Sequence, residues 1–237
     1  MTPDKNQVQR IRRFPVITLP RFSAVSLLIT IILLMIATPF LEDLPRGDLI
    51  EAISLTLVMV SAVVAVGGHR RTLVIAIILV VPAVVGKWLN NVRPDLVSPV
   101  FFLAFSMVYF VFVVVQLLRF ILRAPRVDNN VLCAGLSGYL MLGLLWVPAY
   151  LMVARTNPAA FVMTAGSDAG APMDGFHSFY FSFITLCTVG YGDVTPVSKV
   201  ARMLAVTEAI AGLFYVTVFI SRLVAVYSTA PPPAEKG

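Results

Sequence analysis

The chain has 237 residues, 59% of them hydrophobic and only 13% charged, with a mean hydropathy of +0.90. Soluble domains carry roughly 45–50% apolar and about 25% charged residues, so a soluble globular protein is excluded. The net charge of +6 comes from basic residues scattered between apolar runs, which fits membrane flanks and not nucleic acid. Cys133 and Cys187 both lie in apolar stretches, so no disulfide framework is implied.

Residues 1–21 are polar and basic, with Lys5, Arg10, Arg12, Arg13 and Arg21 against a single acid, Asp4, and are expected to form a solvated cytoplasmic tail. Four spans are predicted over 22–125: Phe22–Leu41, Leu49–Val66, Thr72–Asn90 with a kink at Pro82, and Leu96–Leu122. Each approaches or exceeds the ~20 residues needed to cross a bilayer. The first lacks a small-residue cleavage site and is read as a span, not a signal peptide. A fifth span, Val131–Val153, opens a module over 126–228. Residues 154–175 are rich in Gly, Pro, Ala and Asp and are expected to be a loop. Residues 176–187 are aromatic and apolar but too short to cross, which predicts a re-entrant helix. A sixth span, Val200–Tyr227, follows, and 229–237 form a short polar tail.

Lys and Arg positions give the orientation. With the N-terminus in the cytoplasm, that side holds twelve basic residues and the other side six, of eighteen in all. Cytoplasmic flanks carry such an excess, so both termini are expected inside and the 176–193 segment enters from outside.

That segment ends in Thr188-Val189-Gly190-Tyr191-Gly192-Asp193. Gly190 and Gly192 accept φ > 0, and alternating them with Val189 and Tyr191 turns successive carbonyls to one side. A column of carbonyls without hydrogens to bind is a cation site. Here the chain resembles the potassium-channel family, at Thr188, Val189, Gly190, Tyr191, Gly192 and Asp193 and in the helix–loop–helix context of 131–228. The resemblance implies an all-α membrane protein with six transmembrane helices and a re-entrant pore helix. It also implies passive K⁺ conduction through a homotetramer, with each chain supplying one filter strand and Thr188, Val189, Gly190 and Tyr191 offering carbonyls to K⁺. Filter support is expected from Tyr180, whose hydroxyl would reach Asp193. Gly212, twenty residues after Gly192, matches the family's inner-helix hinge glycine. Below it Leu213, Val216, Ile220 and Val224 share roughly one face, a candidate apolar gate. Two departures stand out: Cys187 where the family commonly has Thr, and apolar Ile184 where some bacterial members have a buried Glu.

Glu208 is the one acid inside a predicted span interior, and an intramembrane acid is a functional residue by default. It is expected to brace the filter from behind. Tyr139, Trp146 and Tyr150 are expected to serve packing and the outer interface. Six spans suggest voltage gating, which needs ~3–4 charges per subunit on the fourth helix. Leu96–Leu118 contains no Lys or Arg, and Arg119 and Arg123 fall only at its cytoplasmic end. Weak voltage dependence is therefore expected. An enzyme is not: His69 and His177 show no obvious partners, and no metal-ligand cluster or phosphate loop appears. No cofactor is expected beyond permeant K⁺, and the partners are lipid and further copies of the chain. The alternatives are a non-selective cation channel, disfavoured by Tyr191 between the two glycines, and a potassium-uptake transporter subunit, disfavoured by the single loop. The expected location is the plasma membrane.

Overall fold

The computed structural model describes residues 24–41, 47–68, 70–93, 98–164 and 169–228. The basic tail 1–21, the turn at 42–46, His69, the start of the predicted fourth span at 96–97 and the tail 229–237 lie outside the described residues.

Seven α-helices carry the fold: α1 (Ala24–Leu41), α2 (Gly47–Val66), α3 (Arg70–Val92), α4 (Pro99–Arg123), α5 (Asn129–Thr156), α6 (Gly175–Leu186) and α7 (Lys199–Ser228). Among the described residues, α3, α4, α5 and α7 are long and apolar enough to cross a membrane. The apolar portions of α1 and α2, Ala24–Phe40 and Ala52–Val66, fall short of that length. At 12 residues, α6 is about 18 Å long and cannot span.

A capping side chain and a proline mark two boundaries that hydropathy blurs. The Asp128 carboxylate accepts from Val131 N at 2.8 Å, so α5 starts at Asn129, two residues before its apolar run. Pro99 stands at the first turn of α4, where its missing N–H costs nothing. Helix α3 is continuous through Pro82.

Helices α1 and α4 pack against α5, while α2 packs on α1 and α3, and α3 on α4. The buried face of α4, with Phe102, Tyr109, Phe110, Val113, Leu117 and Ile121, supplies much of the core. Tyr109 donates to Met59 O on α2 at 2.5 Å, and Asn130 Oδ1 on α5 accepts from Ala24 N at the start of α1 at 2.8 Å. Against α7, α5 presents glycines. A Cβ on Gly138 would stand 2.1 Å from the Tyr215 hydroxyl, and one on Gly135 2.2 Å from the Phe219 ring. These missing side chains let the two helices close on each other, and Tyr215 then donates to Gly135 O at 2.9 Å.

The segment 154–175 departs from the expected loop. Helix α5 continues to Thr156, a single 3₁₀ turn occupies Pro158–Ala160, and β1 (Phe161–Met163) pairs antiparallel with β2 (Val194–Pro196). The register places Phe161 opposite Pro196 and Met163 opposite Val194. Such pairing between distant short segments leaves no local periodicity to read.

Candidate ion-conduction site

The site is built around α6. Its N-cap, Asp174, accepts from His177 N at 2.8 Å, and the same oxygen lies 2.7 Å from His177 Nδ1. His177 thus has a partner that the sequence did not reveal, and it serves the start of the helix. At the other end the chain turns back on itself. Val189 N donates to Ile184 O at 2.8 Å and Gly190 N to the same oxygen at 3.3 Å.

From there the backbone alternates. Thr188, Gly190 and Gly192 have φ of 55°, 58° and 81°, while Val189 and Tyr191 between them stay at negative φ. The glycines take this at no steric cost. Thr188 is the one non-glycine with positive φ among the described residues, a strain of about 1–3 kcal/mol held by its surroundings. The alternation aligns successive carbonyls. Among the described residues, no donor reaches the carbonyls of Thr188, Val189, Gly190 or Tyr191. The Gly192 carbonyl differs, because Thr164 Oγ1 donates to it at 3.1 Å. Thr164 N also donates to Asp193 O at 2.8 Å, extending the ribbon of β1 and β2 up to the C-terminal end of the 188–193 segment. Sequence reasoning missed Thr164, which lies in a loop-like stretch.

Behind this segment the structure brings together Tyr180 and Asp193. The Tyr180 hydroxyl donates to Asp193 Oδ2 at 2.5 Å, and Asp193 Oδ1 accepts from Val194 N at 3.0 Å. Desolvation, and then the bond to Asp193, push the Tyr180 phenol up to about 12, so it remains a donor throughout the neutral range. Glu208 is fully buried and accepts from Tyr150 of α5, while its Oε1 lies 2.6 Å from Ser182 Oγ on α6. Tyr150 therefore packs as expected and in addition bonds the acid. It is fully buried and stacks edge-on against Phe181. Tyr139 is bonded as well, its hydroxyl donating to Leu186 O at 3.2 Å and standing 3.7 Å from Cys187 Sγ. Trp146 is packed as expected.

Gly212 lies against the end of α6. A Cβ there would stand 2.8 Å from Leu186 O and 2.9 Å from Leu186 Cδ1, so close approach alone demands glycine. Leu213, Val216, Ile220 and Val224 all face outward from the single chain, as do Val189 and Tyr191. Apart from a stripe through Ala201, Glu208, Gly212 and Tyr215, α7 leaves most of its apolar surface uncovered.

Residues 136–229 match a protein-family profile described as "Ion channel". The chain is 34% identical over 80 residues to two pore potassium channel c of Oryza sativa subsp. japonica, covering 34% of this chain and 18% of that protein. It is 42% identical over 50 residues to the voltage-gated potassium channel Kch of Escherichia coli (strain K12), covering 21% and 11%. Protein LctB of Geobacillus stearothermophilus is 34% identical over 88 residues, covering 37% and 63%. The chain thus spans less than two thirds of the length of each of these relatives. No solved structure matches. Fold and matches together define 136–229 as an ion-channel pore module. The relatives that align with part of this chain include potassium channels.

Proposed function

We propose that the protein is a potassium-selective channel in which four copies surround one filter, each contributing Thr188–Gly192. The observation that carries this is the φ alternation from 188 to 192 with four consecutive carbonyls left without donors. In lipid, such backbone is tolerated only where protein buries it or where it lines a water-filled path. A single chain offers neither, since Val189 and Tyr191 stand exposed, whereas a ring of chains offers both. Each carbonyl level would then present several oxygens in place of the hydration shell of K⁺. The uncovered apolar surface of α7 fits the same assembly, with Val216, Ile220 and Val224 toward the cavity.

In this reading α1 and α2 also cross, giving six spans with both termini cytoplasmic in the plasma membrane, and gating is nearly voltage-independent. Helix α4 supports the last point, carrying no Lys or Arg before Arg119. Reconstitution in planar bilayers tests selectivity and voltage dependence together. In opposed K⁺ and Na⁺ gradients the reversal potential should follow the K⁺ equilibrium potential, with a shallow conductance–voltage curve. A reversal near zero would favour a non-selective cation pore, and a steep curve would refute the account of α4.

A further inference from the structure

Glu208 lies nine residues into α7, about 14 Å along the helix from Lys199. Its carboxyl is fully buried, and among the described residues no Lys, Arg or His nitrogen comes within 4 Å of it. Its hydrogen bonds fix its protonation by counting. The Ser182 hydroxyl has one hydrogen, and its Oγ lies 2.7 Å from Gly143 O and 2.6 Å from Glu208 Oε1. A backbone carbonyl only accepts, so the bond to Gly143 uses the hydrogen of Ser182. An ionised carboxylate also only accepts, which would leave Ser182 Oγ and Glu208 Oε1 in contact without a proton between them. A neutral acid removes the conflict.

We infer that Glu208 is held as the neutral carboxylic acid, with its proton on Oε1, and acts as a positioning residue for the pore helix. Tyr150 donates to Oε2, Oε1 donates to Ser182 Oγ, and Ser182 donates to Gly143 O. One carboxyl thereby joins α5, α6 and α7 without placing a charge in the bilayer, where an unpaired carboxylate costs several kcal/mol. Ser182 sits two residues from Tyr180 on α6, and the same helix ends where Leu186 O meets Gly212. The chain from α7 to Ser182 therefore fixes the depth and rotation of the helix that delivers the filter. This positioning step rests on the channel reading above; the protonation state does not.

The test uses the full-length protein in lipid. Infrared spectra at neutral pH should show a carboxylic-acid C=O stretch that disappears in Glu208→Gln, since acids in contact with water are ionised there. The amide of Glu208→Gln can donate to Ser182 and accept from Tyr150, so it should keep most of the wild-type melting temperature. Glu208→Ala should lower the melting temperature by roughly 5 °C or more. No such band, or Glu208→Gln as unstable as Glu208→Ala, would overturn the neutral acid. Bilayer recordings read the second step: Glu208→Ala should lower conductance or shorten openings, with Glu208→Gln restoring them. Unaltered currents in Glu208→Ala would overturn positioning while the infrared result stands. If the wild-type protein passed no K⁺, the channel reading would fall and the proton assignment would remain.

Discussion

The bond between Tyr180 and Asp193 joins the pore helix to the C-terminal end of the 188–193 segment, and its removal has a calculable effect. Tyr180→Phe deletes one oxygen and leaves the ring in place, stacked 6.5 Å from Phe176. The lost bond is short, at 2.5 Å, and its acceptor is a carboxylate. Hydrogen bonds to charged groups contribute ~1.5–3 kcal/mol. Asp193 is only partly buried and keeps its bond from Val194 N at 3.0 Å, so water can replace part of what is lost. The lower end, about 1–2 kcal/mol, is the appropriate size, and that shifts an equilibrium by roughly 5–30-fold. In the channel reading, Tyr180 helps to hold the segment in the alternating conformation, so the shift falls between a conducting and a collapsed filter.

The assay is macroscopic current during sustained opening at fixed K⁺. Tyr180→Phe should speed the decay of current by that factor, and Asp193→Asn should do the same to a lesser degree. The double variant should decay no faster than the worse single one, since Tyr180→Phe removes the bond that Asp193→Asn only weakens. Decay indistinguishable from wild type in Tyr180→Phe would refute the reasoning, because the substitution removes nothing else.

Further substitutions test other features of the site. Gly212→Ala places a Cβ 2.8 Å from the backbone oxygen of Leu186, and overpacking of this kind costs about 1–3 kcal/mol; thermal unfolding should occur at lower temperature, and unchanged stability would mean that α6 and α7 stand further apart. Thr164→Val removes the donor to Gly192 O but keeps the N–H bond to Asp193 O, a loss of about 0.5–1.5 kcal/mol that should appear as greater hydrogen exchange at the C-terminal end of the 188–193 segment with β1 and β2 still paired. Ser at Ile220 or Val224 should raise resting leak by wetting an apolar constriction, and an unaltered resting current would exclude both from the gate.

Much of the pore module was legible because lipid restricts the choices. A 12-residue apolar helix followed by Thr188–Asp193 has few ways to bury its backbone, so the sequence places α6, the turn and α7 within a residue or two. The Tyr180–Asp193 contact was legible through the resemblance, and the partner of Glu208 on the pore helix through the cost of a buried acid. What escaped notice depends on long-range pairing. β1 is a strand only because β2, thirty residues on, lies beside it. Tyr150 and Tyr139 read as packing and interface residues, and their hydrogen bonds escape because hydropathy records the ring and not the destination of the hydroxyl. The space that Gly212 must leave empty is set by Leu186, so its packing role also required the fold.

The contribution of the anterior helices follows from the same contacts. Helix α4 buries Phe102, Tyr109, Phe110, Val113, Leu117 and Ile121, and its membrane-depth residues carry no charge for an electric field to move. Sliding it would break the Tyr109 bond to α2 and uncover that apolar face. Its C-terminal end is fastened as well: just after Arg123, the carbonyl of Ala124 accepts from Arg222 Nη2 on α7 at 2.7 Å. That bond lies between Ile220 and Val224 in sequence, at the level of the candidate apolar gate. A helix without mobile charge, locked to its neighbours and tied to the inner helix at one carbonyl, acts as a fixed strut. In such an arrangement, moving the end of α7 relative to α4 requires releasing Arg222 or carrying the 124–128 link with it. In the channel proposed above, an opening stimulus would act on that junction or on α7 itself, and not on a voltage-driven α4.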